Sequence, residues 1–122
     1  MKNLSKILEI PTFRDERGFL TVMENTLPFE IKRIYWIYEA NEQIRGGHRH
    51  KITKQALVAV SGTVDLKIND GNKETLYILD HPSKCLIVEP EDWHTMYFKN
   101  NAVLMVFASH EYDKSDYVDS SY

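Results

Sequence analysis

Residues 45–68 read RGGHRHKITKQALVAVSGTVDLKI, and this stretch decides the fold class. From Val64 to Ile68 apolar and charged residues exchange places at every step, the pattern of a strand with one face buried. Gln55 to Val60 is a second apolar run, and Ser61-Gly62 between the two reads as the turn of a hairpin. Upstream, the flexible Arg45-Gly46-Gly47 leads into His48 and His50. Two residues apart on a strand, these imidazoles project from one face, while Arg49 and Lys51 project from the other.

The same pattern extends in both directions. Phe19–Met23, Ile31–Tyr38, Leu76–Leu79, Leu86–Val88, Thr95–Phe98 and Val103–Ala108 are short apolar runs separated by breakers. Asp70-Gly71-Asn72 is a strong turn signal before one of them. No window forms a convincing amphipathic helix. The expectation is an all-β sandwich or barrel, built as one domain over residues 1–122. With 43% hydrophobic and 27% charged residues, the chain can build a core without staples. The acidic, polar segment Glu111–Tyr122 reads as a solvated terminus.

Composition narrows the partners. A formal net charge of -3 gives no reason to expect nucleic acid, although a local cationic pocket for a phosphorylated ligand is compatible with it. The single cysteine, Cys85, lies in an apolar run and reads as core, and no intrachain disulfide can form. Neither a signal peptide nor an apolar run of membrane-spanning length is visible, so a cytoplasmic location with no membrane partner is the default.

The histidines carry the chemistry. His81, beside Pro82, reads as an exposed turn residue, and His110 gives no independent signal. His48 and His50 differ, because two imidazoles facing one cavity are costly to bury without partners, which favours a functional pair. Pro90-Glu91-Asp92-Trp93-His94 adds a further histidine after a turn-like segment. This constellation resembles the cupin signature: Gly47, His48, His50, Gln55 and Gly62 match its first motif, and Pro90 and His94 its second. The resemblance implies a double-sheet jelly-roll barrel. Metal-binding cupins usually carry glutamate where this chain has Gln55, and a neutral amide is a poorer partner for a divalent cation. A site with no metal and no cofactor is therefore expected, with a metal held by His48, His50 and His94 as the alternative.

A closer resemblance covers nearly the whole chain. Residues 45–62, together with FRDERG (13–18), FEIKRIY (29–35), EPEDWHTMY (89–97) and SHEYDKSDY (109–117), are similar to the dTDP-sugar 3,4-ketoisomerases. The resemblance implies a metal-free homodimer that moves the keto group of dTDP-4-keto-6-deoxyglucose from C4 to C3, ahead of amination at C3. By that match His50 is the carbon base, with His48 a second catalytic group; Tyr35 shares strand parity with Arg33 and reads either as a hydroxyl for a sugar oxygen or as a core aromatic. Arg45 and Arg33 are the leading candidates for the pyrophosphate, since guanidinium grips phosphate in a forked geometry. Lys51 and Gln55 belong to the same motif, and Trp93, His94 and Tyr97 are expected to line the sugar or base pocket. Arg17 reads as a surface arginine. The other readings are a metal-dependent cupin enzyme, a non-catalytic nucleotide-sugar-binding cupin, and a 3,5-epimerase. Epimerases are usually longer, and no histidine–aspartate pairing of their kind is visible.

Overall fold

The structure, a computed structural model, describes residues 4–122. Ten strands follow one another: β1 (Lys6–Glu9), β2 (Thr12–Asp15), β3 (Gly18–Thr21), β4 (Arg33–Ile37), β5 (Ile44–His50), β6 (Gln55–Asn69), β7 (Glu74–Leu79), β8 (Lys84–Val88), β9 (Trp93–Ala108) and β10 (Tyr117–Val118). The only described helix is a 3₁₀ turn, Lys114–Asp116.

β6 and β9 pair antiparallel along almost their whole length, and both bend midway. The first half of β6 and the second half of β9 build one sheet with β8, β1 and β4. Their other halves build a second sheet with β7, β5 and β10. Two sheets sharing their central strands make the expected double-sheet barrel.

One reading is corrected here. Ser61-Gly62 does not close a hairpin; it is the corner at which a continuous strand passes from one sheet to the other. The pairing register shifts between Ala59 and Thr63, and Gly62 takes φ +68°. Opposite, Asn100 and Asn101 also adopt positive φ, at 57° and 55°, so β9 turns with its partner. Glycine signals a chain reversal and a strand corner equally well, which is why the local sequence suggested the wrong one.

Alternation sorts the side chains of the first sheet into two layers. Leu57, Ala59, Leu86, Val88, Leu104 and Val106 point between the sheets, where Leu66, Phe98 and Met96 of the second sheet meet them. Their neighbours Ala56, Val58, Cys85 and Ile87 point outward, under Met23, Leu27 and Phe29 from the segment between β3 and β4. This explains the unbroken apolar runs at 56–59 and 85–88: those strands are covered on both faces. Each fully buried aliphatic side chain contributes roughly 1.5–3 kcal/mol.

The corner at Gly62 gives a direct test. A Cβ there would lie 2.5 Å from the Ala102 Cα and 2.6 Å from the Asn100 carbonyl oxygen. Gly62→Ala should therefore destabilise the fold by on the order of 3 kcal/mol, read as a lower urea midpoint. An unchanged midpoint would show that the corner relaxes freely.

Candidate active site

β5 brings the paired histidines into the barrel by means of a bulge. Gly46 pairs with Thr95, yet His48 pairs with His94, so Gly47 is an extra residue against β9. Gly46 and Gly47 take φ of +85° and +75°, and a Cβ on Gly46 would sit 2.9 Å from the His94 carbonyl oxygen. The bulge resets the alternation. Arg45, an odd position, shares register with the core residue Met96, and the even His48 and His50 nevertheless turn to the same interior. Without the extra residue, strict alternation would set Arg45 and the histidines on opposite faces.

His48, His50 and His94 form one cluster. Ring centroids lie 5.2 Å apart for His48–His50, 5.0 Å for His48–His94 and 6.0 Å for His50–His94. His50 and His94 are 4% and 1% exposed. Their tautomers follow from their partners. The Nδ1–H of His94 donates to the Asp92 carbonyl at 3.1 Å, and the Nδ1–H of His50 donates to Asp116 Oδ2 at 3.1 Å. Each ring then carries its lone pair on Nε2. The His50 Nε2 is buried and has no hydrogen-bond partner in the protein.

Asp116 is held in place independently of the histidine. It accepts from the Ile52 N–H at 2.8 Å and the Thr53 hydroxyl at 2.5 Å. Burial pushes its carboxyl up, but the Thr53 hydroxyl, the Ile52 amide and His50 outweigh this and leave it below the ordinary range. Burial pulls the His50 pKa down, partly offset by its bond to Asp116, and the Arg33 charge lowers it further. His48 is lowered by burial and by His50, against Asp119 and the Gly46 carbonyl. Burial takes His94 down to about 3. All three imidazoles are therefore neutral at pH 7.

Cationic and aromatic groups cover the cluster. The Tyr117 ring lies 4.4 Å from His50 and 4.9 Å from His48. Arg33 donates from Nη1 to the Tyr117 hydroxyl at 3.4 Å and stacks 4.4 Å above the Tyr35 ring. The Tyr35 hydroxyl accepts from Gln55 Nε2 at 3.1 Å. Burial and the neighbouring Tyr117 raise the Tyr35 pKa, and Arg33, Gln55 and Arg45 only partly offset them.

Among the expected site residues, the fold brings together His48, His50, His94, Tyr35, Arg33, Gln55 and Arg45. It separates two others. Trp93 and Tyr97 alternate with the inward His94 and Met96 along β9, and Tyr97 pairs with the exposed Ile44. They belong to the outer face of the second sheet, because flanking a histidine on a strand means facing away from it. Lys51 is exposed at the end of β5 and meets the site through its backbone, whose N–H donates to the Asp116 carbonyl. Arg17 is an exposed residue bonded to Asp15, as read.

Two residues were missed. The segment read as a solvated terminus contributes Asp116, buried beside His50, and Tyr117, which pairs with His50 across β10 and β5. The fold therefore pairs His50 with Asp116. The two stand 66 positions apart, so no local spacing announces the pair.

The three histidine nitrogens lie within 4.8 Å of one another, looser than the roughly 3.4 Å set by tetrahedral Zn–N bonds of about 2.1 Å. The motif position of a carboxylate ligand is the neutral Gln55, engaged with Tyr35. Three histidines without a carboxylate fit a divalent cation incompletely.

Comparison with known proteins gives a consistent result. The family described as "FdtA: WxcM-like, C-terminal" matches residues 3–122. A TDP-4-oxo-6-deoxy-alpha-D-glucose-3,4-oxoisomerase from Aneurinibacillus thermoaerophilus is 38% identical over 118 residues, covering 93% of this chain and 85% of the relative. The solved TDP-quinovose 3,4-ketoisomerase from Campylobacter jejuni is 38% identical with a TM-score of 0.91, covering 98% and 95% of the two chains. A histidine-to-asparagine mutant of the 3,4-ketoisomerase QdtA from Thermoanaerobacterium thermosaccharolyticum, solved with TDP-4-keto-6-deoxyglucose, is 31% identical with a TM-score of 0.93. It covers 98% of this chain and 90% of that one.

The electrostatics predict a pH response of stability. Above pH 6.5 the imidazoles are neutral in both the folded and the unfolded chain. Below it, the unfolded chain takes up protons that the folded cluster refuses, so stability falls as pH drops, down to about 3 for His94. Urea midpoints should decline steadily from pH 7 to 4.5, and His94→Gln should flatten that decline. Equal midpoints at both pH values would contradict the neutral cluster.

Proposed function

The chain belongs to the FdtA family of dTDP-sugar 3,4-ketoisomerases, and on that premise we propose that it moves the keto group of dTDP-4-keto-6-deoxyglucose from C4 to C3. The observation that carries the mechanism is the His50 Nε2 lone pair, buried and unpartnered while Nδ1 is held by Asp116. An imidazole so oriented is a ready carbon base. It removes the C3 proton acidified by the neighbouring C4 ketone, and the negative charge spreads onto O4 as an enediolate. Asp116 stabilises the imidazolium that forms, because its carboxylate accepts from the Nδ1–H. Reprotonation at C4 and loss of the O3 proton leave the ketone at C3.

The remaining residues have roles suited to their positions. His48, more open than His50, is the second acid–base group. Tyr35 offers its hydroxyl to the enediolate oxygen. Arg45 and Arg33 supply positive charge for the pyrophosphate, with Gln55 as a neutral donor, Lys51 at the rim and His94 against the sugar. The reaction needs neither metal nor other cofactor. The family reading also carries a cytoplasmic location, a single domain over residues 1–122, and a product destined for amination in the synthesis of a surface glycan.

A homodimer is part of this reading. The β2–β3 hairpin pairs with no other described strand and leaves Phe13, Phe19 and Leu20 61%, 70% and 63% exposed. An isolated hairpin of this kind is marginal in water, and a second copy of the chain would cover it. Sedimentation at micromolar concentration should give twice the 14.3 kDa chain mass, and Phe19→Asp should shift it toward monomer. A monomeric parent chain would refute the dimer.

The activity is tested by NMR of dTDP-4-keto-6-deoxyglucose with the protein in deuterated water. The parent chain should form the 3-keto sugar. His50→Asn should lower turnover by about 10²–10⁴-fold while TDP binding changes little. Near-normal turnover in His50→Asn would move the base to another residue. Label entering C5 would point to epimerisation instead.

A further inference from the structure

The nitrogen that acts as base is sealed inside the protein. His50 Nε2 is buried, yet the carbon it deprotonates must come within about 3–3.5 Å of it. A sugar cannot reach that nitrogen unless one of the rings around it moves. Three stand close: His94, His48 and Tyr117, with ring centroids 6.0, 5.2 and 4.4 Å from that of His50.

These walls are not equally held. His94 lies on β9, which pairs with β6 along almost its whole length, and is itself 1% exposed. His48 lies on β5, between β9 and β10. Tyr117 lies on a two-residue strand at the sheet edge, paired with β5 alone among the described strands. Short edge elements with few hydrogen bonds open at the lowest cost. The residue before Tyr117 is fixed. The Asp116 side chain is bonded to Ile52, Thr53 and His50, and its carbonyl accepts from the Lys51 N–H at 2.9 Å. Movement of the Tyr117 ring is therefore confined to the chain after Asp116.

The far end of that chain is fastened at one residue. The Tyr122 ring lies 4.3 Å from the Arg49 guanidinium, and its hydroxyl donates to the Glu91 carbonyl at 2.6 Å. Gly71, at φ +90°, makes room for the ring, since a Cβ there would come within 3.2 Å of it. Arg49 also reaches the Glu91 carboxylate at 3.8 Å. The Glu91 N–H in turn donates to the His50 carbonyl at 2.6 Å, so the fastening stands on the backbone of the base itself.

We propose that residues 117–122 are a gate over His50, hinged after Asp116 and latched by Tyr122, which opens to let the sugar reach the base; the role of the base rests on the ketoisomerase reading. The latch is one cation–π contact and one hydrogen bond at a partly exposed site, enough to hold the segment closed at rest and little enough to release it. Asp116 stays in place as the gate swings, so His50 keeps its Nδ1–H bond and its free Nε2 in both positions. Closing over the bound sugar shields the enediolate from water.

Access to the base is read without substrate by diethyl pyrocarbonate, which acylates neutral imidazoles, with each histidine followed by mass spectrometry at pH 7. In the parent chain His50 should react far more slowly than the exposed His110. Tyr122→Ala should raise the His50 rate by about tenfold, and Tyr122→Phe, which keeps the ring on Arg49, by less. His94 should stay unreactive in both. A parent His50 as reactive as His110, or an unchanged His50 rate in Tyr122→Ala, would overturn the gate. So would a parallel rise at His94, which marks general loosening. A second variant ties the gate shut. Val118 and Arg49 are directly opposite on β10 and β5, and Cα atoms of such partners lie about 4.5–5.5 Å apart, within the span of a disulfide. Val118→Cys combined with Arg49→Cys, when oxidised, should turn over dTDP-4-keto-6-deoxyglucose at least about tenfold more slowly than the same protein reduced. Equal rates in the two states would refute passage of the sugar through this gate. If the parent chain itself does not isomerise the sugar, the ketoisomerase reading fails, while the labelling still decides whether residues 117–122 seal His50.

Discussion

β6 and β9 are hydrogen-bonded to each other from Gln55–Ala108 at one end to Asn69–Trp93 at the other, through a shared bend. β4, β5, β7 and β8 pair directly with one of these two strands, and β1 and β10 each attach through one further strand. The barrel is thus a single long antiparallel pair, folded over and widened on each side. The bend is sterically exacting on both strands. It needs a residue without Cβ at Gly62, because that position lies against the Ala102 backbone, and left-handed conformations at Asn100 and Asn101. Asparagine tolerates that region better than most residues with a side chain.

The site is built in the mouth of this frame from groups that resist burial. Three neutral imidazoles and a carboxylate stand where water is largely excluded, and each unmet hydrogen bond there costs free energy. Backbone and side-chain partners meet most of the need: Asp92 for His94, and Thr53 and Ile52 for Asp116, which in turn holds His50. One lone pair is left over, on His50 Nε2. An unsatisfied buried acceptor is unfavourable to the fold and useful to a base, since it is ready to take a proton without first releasing a partner.

The C-terminal segment is drawn into the same arrangement. Asp113 caps the short 3₁₀ turn by accepting from the Ser115 N–H, and this turn delivers Asp116 to the barrel interior. β10 then lays Tyr117 against the histidines, and Arg33 from β4 reaches it from across the mouth. Further along, Tyr122 packs under Arg49 and donates its hydroxyl proton to the Glu91 carbonyl, fastening the segment on the outer face. A stretch that is polar and acidic in composition is in this way structural and chemical at once.

What could be read from sequence alone, and what could not, divides along the range of the interactions. Alternation within β6 and the same-face spacing of His48 and His50 are consequences of the two-residue repeat of a strand, so a few consecutive residues sufficed to establish an all-β chain with a histidine pair. The resemblance to the ketoisomerases was likewise carried by continuous motifs. Other features depended on pairing between distant segments. Whether Gly62 ends a strand or bends it depends on β9 continuing alongside. The placing of Arg45 beside the histidines depends on a bulge measured against β9, and the exclusion of Trp93 and Tyr97 depends on which face of β9 is covered. Asp116 and Tyr117 become site residues only because β10 pairs with β5, which sets Asp116 beside a histidine 66 positions away in the chain. A strand's own residues set which side chains share a face; only its neighbours in the sheet decide whether that face is the interior.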